Sequence, residues 1–269
     1  MNSSATPGFL GDPANAWSTP LAAPLAAAFP FTFRNVEVLT LTYRTTPEAV
    51  HRQLPPPLAP ISDWVLIHVY NMNDVEWLGR YGECNVMVGA ELPGGVRGGF
   101  SPFLFLNSDG GLAQGREVHG QPKKFANPRV EFRQDLIVGV VERNGIEIVT
   151  GTIVYKHTRS DLAALKRATF DFSLNLNYKV LQHIDGTCAV RQITSRLLTD
   201  VKVHECWADW CSVELRPNMQ APLHLLPVVE MGRGWFWKAD FTLVAGAILH
   251  DYLAPTKPAL TWPAPCPRS

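Results

Sequence analysis

From Val36 to Tyr43 (VEVLTLTY) apolar and polar side chains alternate, the period of a strand with one buried face. Similar strand patterns recur at Trp64–Tyr70, Asn85–Leu92 and Phe100–Leu106. Between the first two, Pro47 follows Thr45-Thr46 and opens a short helix that ends before Pro55-Pro56-Pro57. The clearest local signal is Leu136–Arg143, then Asn144-Gly145, then Ile146–Lys156. Two β-branched runs joined by Asn-Gly predict a hairpin with a type I′ turn, whose central residues both need positive φ. Further strands are predicted at Val190–Leu198, Val201–Cys206, Ser212–Leu215 and Phe241–Leu249, and a helix at Asp161–Arg167. Strands adjoin strands instead of alternating with long helices, so an antiparallel barrel or sandwich is expected and a doubly wound sheet is not. Residues 1–30, rich in Pro, Ala, Ser and Thr, read as a tail, and residues 31–269 as a single domain.

The 269 residues carry 24 Lys+Arg and 24 Asp+Glu, a formal net charge of zero. That balance removes the electrostatic drive toward nucleic acid or an anionic membrane, and neither is expected as a partner. Charged residues make up 18% of the chain, below the roughly 25% of ordinary soluble domains. The deficit points to extra buried surface, either an interface between copies of the chain or an apolar internal cavity. Cys84, Cys188, Cys206, Cys211 and Cys266 are scattered and lack CxxC spacing, so neither a disulfide scaffold nor a zinc knuckle is indicated, and a reducing, cytoplasmic setting is expected. No apolar run approaches the roughly 20 residues of a membrane span. The uncharged stretch between Asp12 and Arg34 is interrupted by Pro20, Pro24 and Pro30 and does not follow the basic segment of a signal peptide.

Several motifs take structural readings. Pro93–Gly99 (PGGVRGG) lacks the lysine of a phosphate loop and is followed by no helix signal, so it reads as a hairpin loop. Ser101 sits in Gly99-Phe100-Ser101-Pro102-Phe103, which is not the GxSxG elbow of a serine hydrolase. The eight histidines show neither HxH nor HExxH spacing, and no dedicated metal site is expected. His204-Glu205, inside an alternating strand, reads as part of a structural polar network. Chemistry concentrates in Gly115-Arg116-Glu117-Val118-His119-Gly120-Gln121-Pro122-Lys123-Lys124-Phe125. Adjacent lysines are ordinarily a solvated surface pair. Here Pro122 restricts Gln121 to extended conformations and fixes its own φ, so the lysines enter a stiff segment. Phe125 and the run Phe100, Phe103 and Phe105 offer apolar surroundings that would desolvate an ammonium group. In an extended segment Lys123 and Lys124 point to opposite faces, so only one of them enters a cavity.

With these residues in place the chain resembles the acetoacetate decarboxylase family. The Gly-Arg-Glu and Pro-Lys-Lys string is the family's signature, and the likeness continues through nearly the whole chain: Ser18-Thr19-Pro20-Leu21, Tyr43-Arg44-Thr45, Leu78-Gly79-x-Tyr81-x-Glu83, Tyr155-Lys156-His157, Asp200-Val201-x-Val203-His204-Glu205-x-Trp207, Ala221-Pro222-Leu223 to Pro227, and His250-Asp251-Tyr252-Leu253. The resemblance implies a mainly β (α+β) fold, a closed cone-like antiparallel β-barrel around an internal cavity with few short helices, assembled as a homo-oligomer. It implies that Lys123 forms an imine with a small-molecule ketone and that Glu83 transfers protons. Acetoacetate decarboxylase is itself an established example of a lysine activated by desolvation or by a cationic neighbour. Because neighbouring side chains diverge on an extended segment, desolvation is favoured here over the charge of Lys124.

Two departures accompany the likeness. Val36 falls where the family carries an active-site arginine, and His68 where it carries a second glutamate. Together with Lys124, Arg116 and Phe103 they are the expected substrate-binding residues, and Val36, Trp64, Trp77 and Phe103 would supply either an apolar wall or ordinary core. The expected activity is that of a Schiff-base lyase decarboxylating a β-keto acid or related polyketide-type carbonyl compound. An aldolase-dehydratase joining a keto acid to an aldehyde is the alternative, and a non-catalytic barrel holding an apolar metabolite is the alternative from another class. No cofactor is expected, since the imine itself serves as the electron sink.

Overall fold

The computed structural model describes residues 16–26 and 28–254. An antiparallel meander comes first: β1 (Phe31–Arg44), β2 (Ala59–Val75), β3 (Gly79–Glu91) and β4 (Arg97–Leu106), with the short helix α1 (Pro47–His51) between β1 and β2. Helix α2 (Asp109–Ala113) runs into a π-helical turn (Gln114–His119), followed by β5 (Lys123–Phe125). Next come β6 (Asn127–Arg133), β7 (Leu136–Arg143), β8 (Ile146–Val154), helix α3 (Leu162–Ala168) and β9 (Leu174–Gln182). The long β10 (Cys188–Leu215), β11 (Glu230–Leu243) and β12 (Ala247–Asp251) complete the order.

The strands pair in the order β11-β1-β2-β3-β4-β9-β10, and β10 pairs in turn with β11, so the pairings run in a ring. The far end of β10 leaves that ring at Cys211 and pairs with β8, which continues the sheet through β7 to β6. This extension covers one face of β1 and β2, where Leu39, Leu41, Ile67 and Val69 meet Ile137, Val149 and Ile153 in one core. A second core gathers Phe31, Phe33, Val36, Val38, Trp237 and Phe241. Strict alternation would send Phe33 and Val36 to opposite faces. The register instead shifts between them, with Asn35 in the left-handed region at φ 51°, and that bulge brings both pairs of residues to the same core.

Local signals worked where the chemistry is local. Thr46 caps α1 by accepting from the Ala49 amide, and Asp161 caps α3 in the same way through Ala164. Asn144 and Gly145 have φ of 54° and 78°, the two positive values that a type I′ hairpin requires. Pro93–Val96 forms the loop between β3 and β4. His204 pairs with Asp240 at 2.9 Å, and Glu205 accepts from Lys156 and Trp207, a structural polar network at the strand surface.

Other expectations change. The three strands predicted between Val190 and Leu215 are one strand, because bulges at Thr199/Lys202 and Val203/Glu205 reset the alternation without ending the pairing. Phe241–Leu249 spans the end of β11 and the start of β12. Nor is the sheet wholly antiparallel: β4 pairs in parallel with both β5 and β9, since the chain returns to it through crossovers instead of tight turns. Thus the fold is mostly β with few short helices. Of the expected tail, Trp17 packs edge-on against Phe29, which stacks on Phe31 and contacts His119. Residues 1–15 and 255–269 lie outside the described residues. Among the described residues, no helix is long and apolar enough to cross a membrane.

Candidate active site

The turn between α2 and β5 determines where Lys123 goes. Gly120 closes the π-helical segment at φ 77°, and a side chain there would strike the Lys179 backbone. The Gln121 amide then bonds back to Gly115 O at 2.9 Å, and β5 starts alongside β4 with Lys123 opposite Leu104. A Cβ at Gly115 would run into Lys123 Cδ and Cε, so the glycine provides the space in which the lysine lies. Lys123 is only 7% exposed. Its Nζ donates to Glu83 Oε2 at 2.9 Å and to Gly111 O at 3.0 Å. Glu83 comes from β3 and is itself 5% exposed.

These groups face a cavity whose apolar wall includes Phe31, Phe33, Met72, Leu198 and Phe241. Burial holds the Lys123 amine below the ordinary lysine range; Glu83 opposes this through its charge and hydrogen bond, and the Arg196 charge adds to the lowering. Tyr70 and Tyr81, also on the wall, are pushed upward chiefly by burial and so keep their phenolic protons. His119, on the same wall, is pushed down to about 3 by burial and then by nearby cations, so its imidazole is neutral. Among the described residues no cluster of His, Cys, Asp and Glu is arranged to hold a metal.

Of the residues singled out in the sequence, Lys123 and Glu83 are brought together and the others are not. Lys124 points outward and donates to Gln220 O at 2.9 Å. Arg116 donates to the Lys123 carbonyl at 3.1 Å, so it braces the backbone of β5 from outside the cavity. Val36 is fully buried in the second core and forms no part of the cavity wall. His68 lies deeper, 1% exposed, with Nδ1 2.8 Å from Thr40 Oγ1, which also accepts from Trp237 Nε1. Burial pushes it down to about 3. Phe103 packs against the first core, Trp64 lies under the Arg44 guanidinium, and Trp77 is exposed; none of the three lines the cavity. Side chains that touch only apolar neighbours cannot be assigned to wall or core from their type alone.

Sequence reading missed Arg196, Tyr70 and Tyr81, all on the cavity wall. Arg196 had a signal: it shares strand parity with Leu198, a charged residue on an apolar-bearing face of β10.

The family model for acetoacetate decarboxylase matches residues 18–253. The chain belongs to the acetoacetate decarboxylase family. Acetoacetate decarboxylase 2 of Mesorhizobium japonicum is 33% identical over 245 residues, which cover 91% of this chain and 93% of that protein. A solved acetoacetate decarboxylase superposes with a TM-score of 0.83 at 29% identity, over 89% of this chain and 97% of the other. The enduracididine biosynthesis enzyme MppR, solved with pyruvate, superposes with a TM-score of 0.73 over 91% of this chain and 99% of its own. At 18% identity that likeness concerns the fold alone. Acetoacetate decarboxylase relatives of this closeness place the protein among the lyases.

Proposed function

We propose that this acetoacetate decarboxylase family member is a lysine-dependent lyase in which Lys123 forms an imine with a β-keto acid or a related carbonyl compound and releases carbon dioxide. The observation that carries this reading is the buried Lys123 amine, held below the ordinary lysine range and 2.9 Å from a buried carboxylate. Attack on a carbonyl carbon needs the neutral amine, and burial favours that form. The nitrogen adds to the ketone, water leaves, and a protonated imine remains. The bond from the α-carbon to the carboxylate then breaks, its electron pair enters the enamine, and carbon dioxide departs. A proton returned to that carbon and hydrolysis of the imine regenerate Lys123. Glu83 is the group in reach to carry protons to and from the nitrogen. In this reading the ring of strands acts as a closed cone-like barrel that keeps water from the enamine.

A second reading, condensation of a keto acid with an aldehyde, draws on the shared fold of MppR, which has been solved with pyruvate and with a condensation product of pyruvate and imidazole 4-carboxaldehyde. The two separate by product. Carbon dioxide release from acetoacetate that is lost in Lys123→Arg supports the decarboxylase. A condensation product from pyruvate and an aldehyde, formed without carbon dioxide, supports the other.

A further inference from the structure

The cavity holds a third charged group besides Lys123 and Glu83. Arg196 lines it from β10, opposite Asn175 of β9, with Leu198 on the same strand face. Its Nε is buried and has no hydrogen-bond partner, and no ion pair among the described residues includes it. The carboxylate of the cavity, Glu83, is engaged by Lys123. A guanidinium with a desolvated, unbonded N–H is costly to maintain unless a ligand completes it.

We propose that Arg196 is the receptor for the carboxylate of a short oxo acid, and that it makes the Lys123 cavity selective for anionic keto acids over uncharged ketones and polyketide-type carbonyl compounds. This rests on the reading of Lys123 as the imine-forming residue. The charge balance supports it. Glu83, Lys123, Arg196 and His119 are the ionisable Glu, Lys, Arg and His groups on the wall, and His119 is neutral. Once the imine is protonated, two positive charges face one negative charge across a largely desolvated site. A substrate carboxylate restores neutrality, whereas an uncharged ketone leaves a cation unpaired. The planar fork of the guanidinium matches a carboxylate in shape as well as charge. Strand β1 supplies no cation to the cavity, since its contributions there are Phe31 and Phe33.

Arg196 also helps keep Lys123 neutral, so its removal changes imine formation with every carbonyl compound. The test therefore compares two probes on the full chain. Borohydride trapping is titrated with acetoacetate and with uncharged 2-pentanone, for wild type, Arg196→Gln and Arg196→Lys. The expected result is a rise of about 10- to 100-fold in half-saturating acetoacetate for Arg196→Gln, at most a severalfold change for 2-pentanone, and partial recovery in Arg196→Lys. Equal changes for both probes, or none for either, would overturn the proposal. Wild-type calorimetry with butyrate and with butyramide needs neither a variant nor an imine. Butyrate alone should bind, and equal binding of the two, or of neither, contradicts the receptor role. An absence of adducts with every carbonyl compound, with butyrate still bound, would instead remove the imine reading and leave an anion site.

Discussion

Lys123 Nζ and Glu83 Oε2 meet at 2.9 Å although their strands do not pair with each other. Strand β4 lies between them, with Glu83 opposite Leu106 on one edge and Lys123 opposite Leu104 on the other. The two side chains reach across β4 on its cavity face. The carboxylate both holds the amine in place and raises its proton affinity, against the lowering by burial. Glu83→Gln removes that opposing charge, so the acid limb of imine formation should move to lower pH. The same change removes a proton carrier, and turnover should fall by about 10²- to 10⁴-fold. A pH series of trapping rate and turnover checks both; an acid limb that moves upward contradicts the assignment.

Lys124 should matter little to the chemistry. Its ammonium is on the outer face at Gln220, and the cation acting on Lys123 is Arg196. Lys124→Ala is expected to leave the pH dependence of trapping at Lys123 within about half a pH unit, less than about 0.7 kcal/mol at about 1.4 kcal/mol per unit. A shift of a full unit would show that the two lysines are electrostatically coupled.

Gly115→Ala should disable the site with little damage to the fold. The added methyl would occupy the space of the lysine's Cδ and Cε, displacing Nζ from Glu83. A misplacement on the order of 1 Å costs about 10²-fold in rate. Trapping rate and circular dichroism on the same sample test this, and a variant with unchanged trapping rate contradicts the packing described.

His68 should contribute to acid sensitivity. Its folded pKa is held at about 3, below the ordinary value of 6.5, so the unfolded chain binds a proton that the folded protein excludes. Stability associated with this group is present above 6.5 and is lost as pH falls from there toward 3. The slope is at most about 1.4 kcal/mol per pH unit. Denaturant titrations of His68→Gln between those limits should show a flatter fall than wild type; parallel curves would mean that His68 titrates normally.

Much of this architecture was legible in the chain. The hairpin at Asn144-Gly145, the caps at Thr46 and Asp161 and the outward turn of Lys124 follow from local rules. Lys123 and Glu83 were found through the motifs around them. Arg196 was not, because a charged residue in a half-buried strand is ordinarily solvent-facing, and only the ring of pairings decides which face of β10 turns inward. Val36, His68 and Phe103 failed for the converse reason. Val36 and His68 are buried and Phe103 half-buried, but the core and the cavity wall are both apolar, and the bulge at Asn35 alters which residues share a face.

The role of Lys123 is tested most directly by reductive trapping. Borohydride added in the presence of acetoacetate or another short keto acid should attach the reduced carbonyl compound to a single peptide, the one containing Lys123, and Lys123→Arg should abolish the adduct while the fold persists, since a guanidinium stays protonated at any accessible pH. An adduct on Lys124 or elsewhere, or none with any carbonyl compound while acetoacetate is still decarboxylated, would contradict imine catalysis at Lys123.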